Sequence, residues 1–504
     1  MRRSIKGIFV MTFAMVVTLT GCGGSGGQTL EEIQKGNQKI GVSVHDPSVV
    51  KAEDSYYIFG SHMEAAESTD LKSWKSFASG VNARNPLFDN LFSEDMKAFE
   101  YVGKYTDGGY AVWAPDVIYN KAMKKWVMYF STSHDYRTSN ICFATADEVT
   151  GPYTYQDTIL YSGFTSMTAK KTNFFKIMGK DAKVRDYLTA GQYNNLKYPN
   201  CIDPALFYDE EGRLWMVYGS WSGGIWLLEI DETTGYPIHP ETNEDTHTDK
   251  YFGKYLIGGL HNSCEGPYIL FDDESGYYYL FVSYGGLTRE GGYQIRQFRS
   301  EKVEGPYLDA TGNTLGYEAD HSGFGIKMLG NYRLPSLETA YMAPGHNSAF
   351  IDDNGKRYLV YHQRFDSGTE YHEPRVHQMF LNEDGWMVAA PFATGDDELK
   401  EGGYHSNSEI EGIYYYVNHG TDIGSEIHTY QEIELKKDGK ITINGEEVGS
   451  YTIIEGKCFI SLMIEEITYK GVVLEMKDEA DNWTRCFSAV GNNNESIWGV
   501  SYVK

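Results

Sequence analysis

The chain has 504 residues, room for more than one domain, and its 41% hydrophobic content supports a sizeable core. With 44 Lys and Arg against 70 Asp and Glu, the formal net charge is −26. Such an acidic surface repels polyanions, which excludes nucleic acid and anionic lipid as ligands and points to a neutral or cationic one. Aromatic residues make up 14%, including 40 Tyr and 9 Trp, a supply of flat faces that suits sugar stacking as well as sheet packing.

At the start of the chain, Arg2, Arg3 and Lys6 precede an apolar run too short to span a bilayer comfortably, the pattern of a secretory signal. It ends in Leu19-Thr20-Gly21-Cys22, which resembles the lipobox of bacterial lipoproteins. The resemblance implies cleavage before Cys22, acylation of its thiol, and an extracellular protein tethered to the membrane through lipid alone; plain secretion is the alternative. Residues 23–40, which open on a Gly-rich run, read as a flexible linker. Five cysteines remain, an odd number, so at least one thiol is unpaired. Cys458 and Cys486 are a candidate bridge, and Cys201 and Cys264 read as packing residues.

Residues 41–394 carry one phrase five times. It is clearest at 200–221, where Asp203-Pro204 leads into an apolar strand (205–208), a turn (209–212) and a second strand (214–218), a β-hairpin by its turn residues and β-rich flanks. The other copies open on His45-Asp46-Pro47, Trp113-Ala114-Pro115-Asp116, Glu265-Gly266-Pro267 and His346-Asn347-Ser348. Aligned on the prolines and Ser348, they recur on average about every 75 residues, enough for some four strands each. Four-stranded units that cannot bury both faces alone predict a ring, a five-bladed β-propeller. The turn Gly151-Pro152-Tyr153 recurs as Gly305-Pro306-Tyr307, which supports the repeat.

Two stretches break the pattern. Residues 156–198 are polar with some helical character and read as an insertion at one rim, either shaping a binding site or decorating it. Residues 309–341 are a second irregular stretch. After Pro391 the repeat ends, and 395–504 read as a linker and a small antiparallel β-sandwich or barrel, with strands at 412–418, 427–435, 440–443, 457–464 and 470–476. The expected fold class is thus all-β. The C-terminal domain shows no catalytic constellation; it reads as a buttress for the propeller, with polysaccharide binding as the alternative.

In a propeller the phrase that opens each repeat lines the central tunnel, which brings Asp46, Asp203 and Glu265 to one mouth from three blades. Converging like charges raise the cost of ionising all of them. Glycoside hydrolysis gives such a cluster a use, since one acid protonates the leaving oxygen and one base activates water. Each residue also has a plainer reading: Asp-Pro is a strand-entry turn, and Glu265 caps a turn. Glu265 stands one residue out of register with the Asp-Pro copies, so a strand distortion there is required. Asp116 lies further along its strand and reads as structural or as a peripheral contact. His346 alone reads as a hydrogen-bonded core histidine.

Together with Gly219-Ser220-Trp221-Ser222-Gly223-Gly224-Ile225, Cys264-Glu265-Gly266-Pro267-Tyr268 and Gly345-His346-Asn347-Ser348, these motifs resemble family 43 glycoside hydrolases, in particular the extracellular type with an additional C-terminal β-domain. The resemblance implies an inverting hydrolase that cuts internal α-1,5 links of arabinan, with Asp46 as general base, Glu265 as general acid and Asp203 as the carboxylate that raises and orients the acid. It implies substrate contacts from His45, Trp113, Asn200 and Trp221, and a calcium ion at His346 within a shell mostly of water. Arabinan or its oligosaccharides would be the partner of a monomeric enzyme. An exo-acting arabinofuranosidase or β-xylosidase is the alternative within the family, and a non-catalytic sugar-binding propeller the alternative outside it. The departures from the family pattern are Cys201 and Cys264 beside the carboxylates and the long insertion, which leaves endo against exo action open.

Overall fold

The computed structural model describes residues 28–393 and 397–502. Cys22 and the leader lie outside the described residues. The chain folds as the expected five blades followed by a closed barrel of eight strands. The first strands of the blades are Ser48–Ala52, Val112–Asn120, Ala205–Tyr208, Cys264–Asp272 and Tyr341–Ile351. They touch one another in cyclic order, the last returning to the first. Second strands such as Leu214–Tyr218 and Tyr277–Tyr284 are almost wholly buried, because each blade is covered by a neighbour on both faces. The outer strand Lys75–Ala78 instead exposes its Lys and Ser.

Among the described residues no strand is exchanged between the first and last blades, and side chains close the ring. Glu373 of blade five accepts hydrogen bonds from the backbone N–H groups of Ile40 (3.2 Å) and Gly41 (3.0 Å). Ser348 bridges the same seam, accepting from the Val49 N–H at 3.0 Å and donating to the Pro47 carbonyl at 2.7 Å. An apolar cluster including Val42, Val49, Tyr358 and Val376 fills the space behind them.

The structure corrects the boundaries in several places. Residues 28–40 are no free leash: Ile33 is buried, the Gln34 N–H donates to Asn482 of the barrel, and Asn37 donates to Thr339 of the propeller. The segment thus straps the two domains together. The barrel wall bearing Val472, Leu474, Cys486, Trp498 and Val500 shares one core with Met379, Met387 and Ala389 of blade five, a buttressing contact. Cys458 and Cys486 do not form the candidate bridge. Both are free, Cys458 in the barrel interior and Cys486 on the wall that faces the propeller. Residues 156–161 belong to a blade strand, Thr154–Tyr161, so the insertion starts after it. It is no solvated decoration, since Phe164, Phe174, Tyr187 and Tyr193 pack into a core with blades two and three.

Candidate active site

The five tunnel-mouth corners share a backbone signature that also corrects the repeat alignment. Asp46, Ala114, Asp203, Gly266 and His346 all have positive φ, between 39° and 55°. Four precede a proline, so in the fifth repeat it is His346 that matches Asp46, and Asn347, not Ser348, that stands where the prolines stand. L-residues rarely adopt this conformation, and its cost of about 1–3 kcal/mol persists where surrounding structure imposes it, as at functional sites. The distortion required at Glu265 is present. Glu265 pairs with Ser283 and Tyr268 with Phe281, with an extra residue on the inner strand between them. That bulge turns the Glu265 side chain into the cleft.

One cleft of about 390 Å³ is lined by His45, Asp46, Trp113, Asn200, Asp203, Trp221, Glu265 and His346, so all the candidate residues within the described chain converge. Asp46 sits among imidazoles. One carboxylate oxygen lies 2.8 Å from Nδ1 of His45, the other 3.1 Å from Nδ1 of His346 and 3.7 Å from Nδ1 of His362, and Ser61 donates a further bond. Burial pushes its pKa up, but His346 and His45 outweigh that and hold Asp46 well below the usual carboxylate range. The opposite wall behaves differently. Asp203 accepts one bond, from the Gly266 N–H at 3.2 Å, and burial together with the neighbouring Glu265 and Asp46 pushes it well up. Glu265 is also raised, first by burial and then by Asp46, against donated bonds from the Tyr293 hydroxyl (2.9 Å) and Ser220 (3.0 Å).

The remaining contacts are framework. Trp113 donates its indole N–H to Ser133 at 2.8 Å and meets His62 edge to face at 4.7 Å. Asn200 accepts from Ser162 at 3.1 Å, and the Trp221 ring lies 5.4 Å from His261. Asp116 is structural: it accepts from Ser48 of blade one and from the Leu206 N–H of blade three at 2.6 Å, and burial raises it to about 7. Two glycines make close approaches possible. A Cβ on Gly345 would lie 2.1 Å from the Tyr293 ring, and one on Gly223 would lie 2.5 Å from the backbone of Lys197 and Tyr198 in the insertion. The insertion therefore braces the loop that carries Ser220 and Trp221.

Sequence reasoning missed Ser61, Tyr293 and His362. They lie in strands or turns without a motif, and only the folded ring places them against the carboxylates. Ser220 lay inside the quoted Gly219 to Ile225 motif and was available as a signal.

A metal at His346 meets a suitable donor set. Nδ1 faces the ionised Asp46 and so carries the proton, leaving Nε2 bare, and burial holds the imidazole neutral. The adjoining Asn347 amide is buried with neither polar atom partnered. His346 lines both the cleft and an axial cavity of about 20 Å³, which has room for one water-sized occupant; a water shell would extend into the cleft. His45, Asp46 and His362 form a second close group of potential ligands, already hydrogen-bonded among themselves.

Comparison with known proteins accords with this geometry. The model of the glycosyl hydrolases family 43 matches residues 39–168 and 158–387, and that of a C-terminal lipocalin-like domain matches 394–499. The chain belongs to family 43 of the glycosyl hydrolases. Among relatives of this family 43 protein, an extracellular endo-α-(1→5)-L-arabinanase of Thermotoga petrophila is 37% identical, covering 91% of this chain and 93% of that one. An extracellular endo-α-(1→5)-L-arabinanase 2 of Bacillus subtilis is 36% identical, covering 91% and 92%. The crystal structure of an endo-1,5-α-L-arabinanase from Thermotoga petrophila superposes with a TM-score of 0.78 at 35% identity, covering 94% of this chain and 100% of that one.

Proposed function

We propose that this family 43 hydrolase is an extracellular endo-arabinanase that cuts internal α-1,5-L-arabinofuranosidic bonds of arabinan with inversion. The observation that carries the reading is the opposite proton bias of two walls of one cleft. The imidazoles around Asp46 bias it toward its ionised form, while Asp203 and Glu265, with no cation beside them among the described residues, are biased toward the protonated form. In a single displacement, Asp46 removes a proton from water as the water oxygen bonds to the anomeric carbon. The bond to the leaving sugar breaks, and Glu265 gives its proton to the departing oxygen. Burial and the Asp46 charge keep Glu265 protonated, and Asp203, which holds the adjoining Gly266 N–H, orients the acid. Trp113 and Trp221 offer faces for the sugar rings, and His45 and Asn200 offer polar edges. The names of both relatives support the substrate and the extracellular location.

Calcium would be held by the bare Nε2 of His346 and the Asn347 amide oxygen, supplying positive charge beneath the sugar; chelation should then lower the melting temperature, and an unchanged one rejects it. Acylation at Cys22 is tested by detergent partitioning of the wild type against Cys22→Ser. The deciding experiment for the activity is a product time course on linear arabinan followed by proton NMR. Mixed oligomers with inverted anomeric configuration from the first minutes are expected, and their loss in Glu265→Gln. Monomer from the outset would make the enzyme exo-acting, and intact arabinan would reject the substrate.

A further inference from the structure

A second groove lies beside the catalytic cleft. It encloses about 810 Å³ between the insertion, the loop after the third strand of blade three, and the stretch that leads into and out of blade four. Its apolar floor includes Trp226, Tyr255 and Tyr317, the last two stacked with centroids 5.1 Å apart and planes 11° from parallel. Tyr317 lies against the Gly259 backbone, where a Cβ would approach its ring to 2.5 Å, yet the residue stays 41% exposed. Asn194, Thr242 and Asn243 supply amides and a hydroxyl at the rim. Flat faces bordered by neutral hydrogen-bonding groups suit a sugar ring.

Two features connect the groove to the cleft. Leu260 lines the groove and its neighbour His261 lines the cleft, one Cα step of about 3.8 Å away. Tyr198 lines the groove and Asn200, two residues on, lines the cleft. A polymer leaving the cleft at this wall meets the stacked tyrosines next. Charge narrows the ligand. The lining carries the carboxylates of Glu244 and Asp249 against one lysine, Lys197, and one histidine, His247, which disfavours uronate-bearing chains and leaves a neutral one.

We propose that this groove is a second binding site for the same neutral pentofuranan chain, engaged only by substrates long enough to span both sites. The proposal rests on the reading of the cleft as an arabinanase site. Once one stretch of chain occupies the cleft, binding of the next becomes intramolecular, so the groove raises affinity for polymer and leaves short substrates untouched.

The test compares kcat/KM on linear arabinan and on arabinotetraose for the wild type, Tyr317→Ala and Tyr317→Phe, with retardation of each protein in native gels containing arabinan. Tyr317→Ala should lose about tenfold on the polymer, chiefly through KM, keep the tetraose rate and migrate faster in the arabinan gel. Tyr317→Phe, which keeps the face, should behave as the wild type. Leu196→Trp, at a rim position that is 51% exposed, should reproduce the polymer defect by obstruction and covers the case in which Tyr317→Ala fails to fold. Equal losses on both substrates, or none on either with unchanged gel mobility, overturn the proposal. If the wild type cleaves neither substrate, the proposed activity fails, and the gel alone decides: retardation lost in Tyr317→Ala upholds the groove, and retardation unchanged rejects it.

Discussion

The two walls of the cleft carry the same chemical group and prepare it in opposite ways. On the blade-one wall, Asp46 is surrounded by His45, His346 and His362, and their rings outweigh the penalty of burial. On the wall formed by blades three and four, Asp203 is buried as deeply and Glu265 is half-buried, but their partners are a backbone N–H, two hydroxyls and the Trp221 side chain. Among the described residues no cation opposes burial there, and both groups titrate upward. Acid and base are thus distinguished by what surrounds each carboxylate rather than by residue type.

The sharpest way to break this contrast is to neutralise one wall at a time. Asp46→Asn and Glu265→Gln should each lower kcat on arabinan by about 10²–10⁴-fold, the range for loss of a general base or acid. An aryl arabinofuranoside with a good leaving group separates the walls. Glu265→Gln should recover much of its rate on that substrate, since the departing oxygen no longer needs a proton, whereas Asp46→Asn should stay defective. Equal recovery by both variants would remove the assigned division of labour.

A smaller effect sharpens the acid wall alone. The Tyr293 hydroxyl donates to Glu265 and favours its ionised form, so Tyr293→Phe should raise the Glu265 pKa further. One hydrogen bond is worth about 1 kcal/mol, less than one pKa unit. The alkaline limb of kcat/KM should therefore move to higher pH by under about one unit, with less than a tenfold change at the optimum. A purely structural tyrosine would lower the profile without moving that limb.

Much of this was legible in the sequence, and the shortfalls have physical causes. The hairpin at 205–218 stands as expected because its turn residues and apolar strands are local signals. Glu265 could be named but not aimed, since strand alternation does not report a bulge. His346 was misaligned by one residue because Asn347 takes a proline's place without its signature. Three barrel strands went unread, Glu446–Ile453, Trp483–Gly491 and Ser496–Tyr502. In the last, one face fills the barrel and the other meets the propeller, so nearly every residue is buried and the polar-apolar alternation is gone. The insertion looked polar because the aromatic residues that anchor it are widely spaced and find their core only against blades two and three.

The gentlest probe of the contrast is stability. Asp203 has a folded-state pKa above its unfolded value, because burial and the adjacent carboxylates disfavour its charge. Its contribution to stability is complete below the unfolded pKa of about 4 and declines as pH rises toward the folded value, since the unfolded chain releases the proton first. Asp203→Asn removes this titration while keeping shape and the acceptor for the Gly266 N–H. The variant should gain on the wild type as pH rises from 4 to 7, by about 1–2 °C in melting temperature for each kcal/mol, because unfolding entropy grows with chain length and this domain exceeds the size at which about 2–4 °C applies. It should lose activity as it gains stability, the trade expected when a site holds like charges together for chemistry. The same measurement on Asp46→Asn should run the other way, because that change removes an ionised group its imidazoles stabilise. Parallel trends in the two variants would mean that the walls do not differ in charge state.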